Sequence, residues 1–540
     1  MATFYCESSA SGGGDGSLST PWNTFASIAW GSVSSGDTIN FSGSFTESLI
    51  VARNGVTLAG KYSGVTTIID AVGLDVGIEC ETRTGVLIKG FNVKNSEKQN
   101  IDMLGSNDCH VHSCQTSNAL WDDIRIRHSI GCSIKFCSSI GARFRGMSLS
   151  TASVGQGMSD CLIENCIVLD AATRGYTMSG DPVTHPIKSS TIRNCISQGS
   201  LEGLQVNYAE DNCLLIDLKL LDNTDTGIYE VSNVSSTVFK NIDIVGGSAS
   251  SINNIQNVTD VTFDGIKTRA AASNGFKFLA NSSVTRVTIQ NCEITGASNN
   301  AVYGIYTDSG MTIDELVINN NLLYGNDLMI RLHSNWLNSS ITNNTFAFTG
   351  VTGSVRDAIS IRTDQTNDLV ISKNVFEGIE GQCIDEVSQF AQNLTTSQNY
   401  YGGLQVGNLV TVNGTSYSET TITTFEPTRI LYRDDAFGYV APTSVAPRAV
   451  TYISEREAAS TSSGFTIQPS KELEVFAEPR LAANEFVTIE VNDVSLGWRT
   501  MGAIINSDDT SGFIKNNKRV AQEYRVTKST TQAPTRIESN

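Results

Sequence analysis

Three acidic side chains are the candidates for acid–base chemistry on this chain: Asp122, Asp123 and Glu202. Hydrolysis of a glycosidic bond needs two carboxyl groups about 5 to 10 Å apart, one protonated as the general acid and one acting as base or nucleophile. The same stretch holds aromatic, arginine and amide side chains, which stack on sugar rings and bond to hydroxyl groups. The candidate substrate-binding residues are Trp121, Arg125, Arg145, Arg174, Tyr176, Gln205 and Tyr208.

Two other interpretations of these residues stay open. Eliminative cleavage would use an arginine to neutralise a uronate carboxylate, and His128, Tyr176 or an arginine to remove the ring proton. Alternatively, Asp122 and Glu202 balance two arginines in a ladder of surface charge, in which each exposed pair contributes less than about 1 kcal/mol. None of these interpretations needs a metal or a cofactor, and we predict neither.

The charge distribution favours an acidic ligand at this place. The whole chain carries a formal net charge of −18, which argues against general nucleic-acid binding and against docking on an anionic membrane. Residues 120–195 differ, because eight Lys and Arg residues there outnumber six Asp and Glu residues and leave −20 for the rest of the chain. A basic island on an acidic protein would concentrate an acidic polysaccharide.

A short phrase recurs along the chain and must position these side chains: an aliphatic residue, two mostly polar residues, then a small or apolar one. Its first residue falls at Ile88, Val111, Ile134, Ile163, Ile192, Leu215, Phe239, Phe263, Ile289, Ile318, Ile341 and Ile371. Steps of 23 to 30 residues, rich in Val, Ile, Thr, Ser, Asn and Gly, are typical of short strands rather than helical hairpins. A second strand follows each phrase, as in Gly146-Met147 and Gly175-Tyr176.

Nine of the 12 cysteines fall into two columns of this repeat. One column holds Cys114, Cys137, Cys166, Cys195 and Cys292, and the other holds Cys109, Cys132, Cys161 and Cys213. Small, weakly polar side chains stacked in a narrow core explain the recurring Cys-x4-Cys spacing better than metal ligands do. Asn321 and Asn344 continue the first column, where an amide can hydrogen-bond to its neighbour one coil away.

These patterns predict an all-β protein: a right-handed parallel β-helix of about 12 coils. Capping Thr20, Pro21 and apolar residues at helical spacing predict a helix over residues 20–30 that covers the first coil. Alternating strands beyond residue 448 predict a small antiparallel β-sandwich. We therefore expect an N-terminal cap with entry strands (1–75), the β-helix (76–403), an exit segment (404–447) and the C-terminal β-sandwich (448–540).

The order of these features resembles the pectate-lyase-type right-handed β-helix superfamily, which includes polysaccharide lyases and bacteriophage tailspike depolymerases. The resemblance covers residues 1–403, and the segments that carry it are Phe4-Tyr5-Cys6, the loop Gly12–Gly16, Pro21-Trp22, Gly36-Asp37-Thr38-Ile39 and Asn399-Tyr400-Tyr401-Gly402-Gly403. It implies a bacterial surface polysaccharide and other virion proteins as partners, and a homotrimer. It brings over no catalytic motif residue by residue.

Three hypotheses on function follow. The first is a virion tailspike or fibre, assembled in the host cytoplasm, that binds a bacterial surface polysaccharide with or without cleaving it. The second is a structural or adhesive particle protein without chemistry, and the third is a secreted polysaccharide lyase. The sequence favours a particle protein, because it shows neither a signal peptide nor a membrane span and its cysteines are expected to stay reduced.

Overall fold

The computed structural model describes the chain continuously over long stretches. These are residues 1–62, 65–151, 157–181, 185–271, 273–296, 303–325, 328–333, 335–347, 357–362, 366–377, 379, 382–386, 391–392, 395–397 and 399–402, followed by the backbone of the strands between residues 410 and 529. No helix occurs among these residues, and none of them forms a helix able to cross a membrane.

Successive coils of the chain stack as a right-handed parallel β-helix whose strands form three parallel ladders, here called sheets 1, 2 and 3. Sheet 1 contains Thr38–Ser42, Thr57–Ala59, Leu87–Lys89, His110–His112, Ser133–Lys135, Leu162–Glu164, Thr191–Arg193, Thr288–Gln290, Val317–Asn319, Ser340–Thr342, Val370–Ser372 and Thr395–Ser397. The strand Thr3–Glu7 pairs with Thr38–Ser42 and precedes this ladder.

Sheets 2 and 3 are built in the same way. Sheet 2 contains Ser44–Phe45, Val65–Asp70, Phe91–Lys94, Gln115–Ser117, Ser138–Ile140, Ile167–Leu169, Ile196–Gln198, Lys267–Ala271, Glu293–Gly296, Leu322–Tyr324, Thr345–Ala347, Val375–Glu377 and Tyr400–Gly402. Sheet 3 contains Leu49–Ile50, Val76–Glu81, Gln99–Leu104, Asp122–Arg127, Arg145–Ser150, Arg174–Ser179, Glu202–Asn207, Phe276–Phe278, Tyr303–Thr307, Leu328–Leu332, Ile359–Ile361, Ile384–Glu386 and Val410–Val412.

In the middle of the β-helix the backbone is also extended at the corners between sheets, so that strands continue from one sheet into the next. Three long strands there serve more than one sheet: Leu214–Leu221, Thr226–Val245 and Ile252–Asp264. Short corner strands form minor ladders beside the main sheets: Met158–Ser159, Ile187–Lys188, Ala209–Glu210, Ser283–Thr285, Thr312–Asp314, Asn335–Leu337, Thr366–Asn367 and Ala391–Gln392, and Lys61–Tyr62 forms a hairpin with the sheet 2 strand that follows it.

The predicted repeat column is confirmed at every step. The register pairs Ile88 with Val111 and continues through the column to Ile341 and Ile371, and all 12 of these side chains are fully buried. The ladder is longer than predicted, because Ile39 and Leu58 precede the column and Thr396 follows it. Burial of each large aliphatic side chain contributes about 1.5 to 3 kcal/mol to folding.

Polar and sulfur side chains also stack inside the coils. All 12 cysteines are buried free thiols, and the backbone N–H of Cys114 donates to Sγ of Cys137 at 3.4 Å. Among the described residues, no group of His, Cys, Asp and Glu is arranged to hold a metal ion. Further along the same column, Nδ2 of Asn321 donates to Oδ1 of Asn344 at 3.0 Å, as the sequence predicts.

The predicted helix over residues 20–30 is wrong. The backbone of Trp22 instead pairs with the first strand, donating to the Tyr5 carbonyl at 3.0 Å, so the segment starts as an extended bridge. Beyond it, Oγ of Ser27 donates to the Thr24 carbonyl at 2.7 Å and closes a turn. These side-chain bonds compete with helical ones, which is why serine and threonine favour turns over helix interiors.

The apolar residues of this segment nonetheless pack on the first coil. Trp22, Phe25 and Ile28 are buried, and the ring of Phe25 stacks on that of Phe45 with centroids 4.2 Å apart. The apolar spacing therefore marks a buried face without specifying a helix.

The strands predicted near the C-terminus are present and antiparallel. One sheet contains Pro427–Asp434, Val450–Ser454, Glu472–Glu478 and Ser511–Lys515, and another contains Ala459–Thr461, Phe465–Ile467, Phe486–Asp493, Gly497–Ile505 and Gln522–Ser529. A hairpin of Val410–Val412 and Thr415–Tyr417 closes the long sheet. The packing of the two antiparallel sheets as a sandwich stays a prediction.

The buried asparagine column generates a stability prediction. Oδ1 of Asn344 accepts from the backbone N–H of Asn321 at 2.9 Å, and its Nδ2 donates to the Ile318 carbonyl at 2.9 Å. Because Asn344→Ala would leave these groups buried and unpaired, we expect it to lower the free energy of unfolding by about 2 to 4 kcal/mol in urea titrations. Asn344→Cys should cost less than half as much, because a thiol already fills this position at Cys137. Equal costs for the two variants would contradict a hydrogen-bonding role.

Candidate functional site

The charged side chains predicted to share a face do so on the outward side of sheet 3. The register places Asp122 opposite Arg145, Arg145 opposite Arg174, and Arg174 opposite Glu202. Arg125, Ser148, Thr177 and Gln205 form a second outward column on the same four strands. We call these two columns the polar face of sheet 3.

The ion pairs on this face are largely buried, unlike the exposed ladder that the sequence left open. Nε of Arg174 lies 2.6 Å from Oε2 of Glu202, and these side chains are only 17% and 8% exposed. Nη1 of Arg145 lies 3.8 Å from Oδ2 of Asp122, which also accepts a bond from Ser148 at 2.9 Å. Buried pairs of this kind balance a desolvation cost and are weak contributors to net stability.

Aromatic rings hold the two central guanidinium groups in place. Cζ of Arg145 lies 4.5 Å from the ring centroid of Phe144, and Cζ of Arg174 lies 5.2 Å from that of Tyr229. Such cation–π contacts fix the plane of the guanidinium without neutralising its charge. Phe144 lies in the loop before the strand rather than in the column, so the repeat does not predict its role.

The charges on this face are crowded. Burial lowers the pKa of Arg145, opposed by Asp122, while Arg174 and Arg125 lower it further. Burial raises the pKa of Asp122 and of Glu202, and in each case the neighbouring arginine opposes the shift. Among the described residues, Nε of Arg145 and Oδ1 of Asp122 have no hydrogen-bond partner. The face therefore holds polar atoms that are buried but not fully satisfied.

One carboxylate that the sequence analysis missed organises the edge of this face. Asp102 accepts bonds from Nε and Nη2 of Arg125, both at 3.2 Å, and from Nη2 of Arg127 at 2.9 Å. Asp102 lies opposite Arg125 in the neighbouring strand, in the column of Arg125 rather than in the predicted column of Asp122, so the repeat does not predict its role. The guanidinium of Arg125 is therefore already paired with a carboxylate on the neighbouring coil.

Asp123 lies inside the coil, on the opposite side of the backbone from Asp122. It is fully buried; its Oδ1 accepts from Nδ2 of Asn100 at 2.7 Å and from the N–H of Ala119 at 3.1 Å, and its Oδ2 accepts from Ser139 at 2.6 Å. In the next three coils a glycine occupies the position equivalent to Asp123. This position is incompatible with contact between Asp123 and a polysaccharide outside the coil.

The remaining predicted residues divide between the interior and the rim. Tyr176 is fully buried and donates its hydroxyl to the Cys166 carbonyl at 2.9 Å, so it belongs to the core. Gln205 lies on the polar face and donates to Oε2 of Glu230 at 2.6 Å. Trp121, 54% exposed, lies at the rim directly before Asp122. Tyr208 follows the last sheet 3 strand of the face, in a left-handed conformation with φ 51°.

Two residues outside the face also differ from a simple reading of the repeat. Glu230 lies on the outward side of sheet 3, where it accepts a bond from Gln205, because the register shifts between Leu204 and Gln205. Trp336, which lies in the corner strand Asn335–Leu337 of a later coil, is fully buried in the core.

The spacing of the predicted carboxyl groups decides what they can do together. Asp122 and Glu202 are separated by three strand-to-strand steps, which at about 4.8 Å per step places them about 14 Å apart. Glycoside hydrolysis needs a separation of about 5 to 10 Å. With Asp123 inside the coil, the three predicted carboxyl groups do not form a hydrolytic pair, whereas the arginines between them lie one step apart.

The buried carboxyl of Asp123 generates a pH prediction. Burial raises its pKa from 3.8 to about 7, so the folded protein retains a proton that the unfolded chain releases. This contribution to stability is complete below about pH 4 and is lost as the pH rises through about 7. Asp123→Asn mimics the protonated acid, so we expect its unfolding free energy to exceed that of the wild type increasingly from about pH 4 to 7, by up to about 4 kcal/mol, and by a constant amount above that range.

Denaturant titrations at several pH values measure this difference. Asp75→Asn, which removes the exposed carboxylate that pairs with Lys98, serves as the control and should not reproduce the slope. A difference between wild type and Asp123→Asn that is constant with pH would contradict the buried, proton-retaining carboxyl.

Comparisons with known proteins relate the chain to others by fold alone. No protein-family model matches it, and no curated protein matches it. The similar solved structures include the Dettilon tailspike protein, 12% identical over 82% of this chain and 87% of that chain, with a TM-score of 0.30. A tailspike protein from Acinetobacter baumannii bacteriophage Fri1, a capsular polysaccharide depolymerase, is 12% identical over 91% of this chain and 79% of that chain, with a TM-score of 0.29.

The similar structures also include enzymes. A family 28 exopolygalacturonase from Yersinia enterocolitica is 10% identical over 68% of this chain and 78% of that chain, with a TM-score of 0.36. The strand pairing of this chain is that of a parallel β-helix, and the solved structures similar to it include phage tailspike proteins, an exopolygalacturonase and an alginate epimerase.

Proposed function

We propose that this chain is a tailspike- or fibre-type virion protein that binds an acidic bacterial surface polysaccharide on the polar face of sheet 3. The observation that carries the proposal is the order of charges along the column: Asp122, Arg145, Arg174, Glu202. A ladder built for stability would alternate in sign, because like charges directly opposite each other on paired strands are destabilising. Here the two cations are neighbours.

An anion placed over the two arginines would relieve this crowding. Arg145 and Arg174 present guanidinium groups that match the planar, bidentate geometry of a carboxylate. The contacts with the rings of Phe144 and Tyr229 restrict the two guanidinium groups before a ligand binds, so little side-chain entropy is lost on binding. Because the rest of the chain is strongly acidic, an anionic polymer would be attracted here and repelled elsewhere.

The geometry supports binding ahead of hydrolysis. The separation of Asp122 from Glu202 is too large for a hydrolytic pair, and Asp123 is enclosed. Arg145, Arg174, Gln205 and the exposed Trp121 remain as the proposed ligand-binding residues. A purely adhesive protein and a lyase both stay as alternatives, since arginine recognition of a uronate is common to binding and to eliminative cleavage.

The virion assignment rests on the chemistry of the cysteines and on the second module. Twelve free, buried thiols suit assembly in a reducing compartment better than export through an oxidising one. The two antiparallel sheets that follow the β-helix fit a separate assembly or glycan-binding module, for which a homotrimer with other virion proteins as partners is the proposed context.

Charge removal on the polar face tests binding. We expect Arg145→Gln and Arg174→Gln each to weaken binding of acidic bacterial capsular polysaccharides at least about tenfold, a loss of about 1.4 kcal/mol, in biolayer interferometry on an array of purified glycans. Arg286→Gln removes an arginine that pairs with Asp260 away from this face, and should bind like the wild type.

Because Arg174→Gln leaves Glu202 without its cation, the double variant Arg174→Gln/Glu202→Gln is the second reagent. It removes both charges of the pair and should also lose binding while retaining the fold. If the double variant and the single variant Arg145→Gln both bound with wild-type affinity, the binding site would lie elsewhere. A reducing-end assay with ultraviolet detection of unsaturated products, run on the bound glycan, separates adhesion, hydrolysis and elimination.

A further inference from the structure

A second cluster of aromatic and cationic side chains lies on the outward face of sheet 3, beyond the polar face. In the register of this sheet, Lys277 lies opposite Tyr306, and Tyr306 lies opposite Arg331. Tyr303 precedes Tyr306 on the same strand, and His333 directly follows the next strand, which ends at Leu332 and contains Arg331. We call Tyr303, Tyr306, Arg331 and His333 the tyrosine patch; all four side chains are partly exposed.

The rings of this patch form a continuous platform. The rings of Tyr303 and Tyr306 stack with centroids 5.1 Å apart and planes inclined by 17°, and the ring of His333 lies 6.0 Å from that of Tyr306. The two rings cover part of each other and Arg331 lies over the ring of Tyr303, but both tyrosines stay partly exposed, and exposed aromatic surface is of the kind on which sugar rings pack. Strand propensity alone explains single tyrosines, but it does not explain this mutual arrangement.

Among the described residues, no carboxylate forms an ion pair with the cation of the patch, Arg331; the acid at this patch, Asp308, instead approaches Tyr306, whose hydroxyl lies 3.5 Å from its Oδ1. Cζ of Arg331 lies 5.1 Å from the ring centroid of Tyr303, Nη1 donates to the hydroxyl of that ring, and Nε donates to Nε2 of His333 at 2.6 Å. Because Nε2 accepts this bond, the imidazole is neutral, which agrees with a pKa of His333 lowered by burial and by Arg331.

The contrast with other sheet 3 arginines is informative. Arg125 and Arg174 are each held by a carboxylate on a neighbouring strand, and Arg362 lies 3.0 Å from Asp385. In the part of the chain that the structure describes, no carboxylate forms an ion pair with Arg331. An arginine whose partners are a phenol, a neutral imidazole and a ring face keeps its positive charge for a ligand.

We propose that the tyrosine patch is a second polysaccharide subsite, which packs a sugar ring on Tyr303 and Tyr306 and binds the carboxylate of that sugar through Arg331. This inference rests on the proposed function, because it assigns a second contact to the same acidic polymer. The ligand class is a uronate or another sugar that carries a carboxylate.

The two sites lie on one face at a fixed separation. Five strand-to-strand steps lead from the strand of Arg174 to the strand of Tyr306, which at about 4.8 Å per step is about 24 Å. A linear polymer that spans this distance can occupy both sites at once, and the second contact then forms at high effective concentration. Affinity should therefore rise steeply once the ligand is long enough to reach both sites.

Calorimetric titration of the full chain with defined oligosaccharides tests this inference. The probes are trigalacturonate, decagalacturonate and the neutral maltodecaose. We expect the wild type to bind decagalacturonate at least about tenfold more tightly than either of the others, and Tyr306→Ala and Arg331→Gln each to remove most of that gain. Phe136→Ala is the matched aromatic control, because it removes an exposed ring that follows a strand of sheet 1. It should leave the tighter binding of decagalacturonate unchanged.

The outcomes separate this inference from the proposed function. If Arg174→Gln loses decagalacturonate binding while Tyr306→Ala and Arg331→Gln keep wild-type affinity, the second subsite is overturned and the polar face stands. If the tyrosine-patch variants lose binding and Arg174→Gln does not, the second subsite stands and the polar face fails. A wild type that binds decagalacturonate no better than maltodecaose overturns the subsite for uronates. Circular dichroism of each variant verifies that the coil is intact.

Discussion

Parallel stacking in register is the constraint on which the rest of this structure depends. Each strand bonds to the strands one coil before and one coil after it, so a side chain has an equivalent neighbour about 4.8 Å away on either side. Inside the coil this rule demands compatible columns, and aliphatic, thiol and amide columns are three solutions to it. The asparagine column is the most demanding of them, because each amide must both donate and accept along the axis.

The same stacking applies to side chains outside the coil, where like charges in one column destabilise the fold. Adjacent arginines in one column repel each other, and the chain carries such a pair at Arg145 and Arg174. Flanking carboxylates and ring contacts reduce this repulsion. The pKa of Arg145 is lowered mainly by burial, and Arg174 lowers it further, so part of the repulsion remains. A surface column that retains this crowding is better explained by a ligand that completes it than by fold stability.

Much of the fold can be predicted from the sequence, because residues at equivalent positions of the repeat lie above one another in successive coils. The spacing of the repeat alone gives the register of sheet 1 and the alignment of Asp122 with Glu202 across four strands. Side-chain direction at the start of a strand is harder to predict: Asp122 and Asp123 face opposite sides as alternation requires, but Asp123 and the next residue, Ile124, are both fully buried inside the coil, which breaks the alternation. The helix over residues 20–30 failed for a related reason, since apolar spacing specifies a buried face but backbone pairing of Trp22 decides its shape.

The tyrosine patch shows a different limit of sequence reasoning. Tyr306 and His333 are identifiable singly, but the lack of an ion pair between Arg331 and any described carboxylate depends on three-dimensional neighbours on separate coils. A rigid β-helix makes such differences consequential, because its side chains cannot move along the axis to find new partners. Specificity for an extended polymer would then depend on the match between the repeat of the polymer and the fixed spacing of the cations. Lysine would substitute poorly at these positions, since a flexible point charge lacks both the planar fork and the ring contact that hold each guanidinium in register.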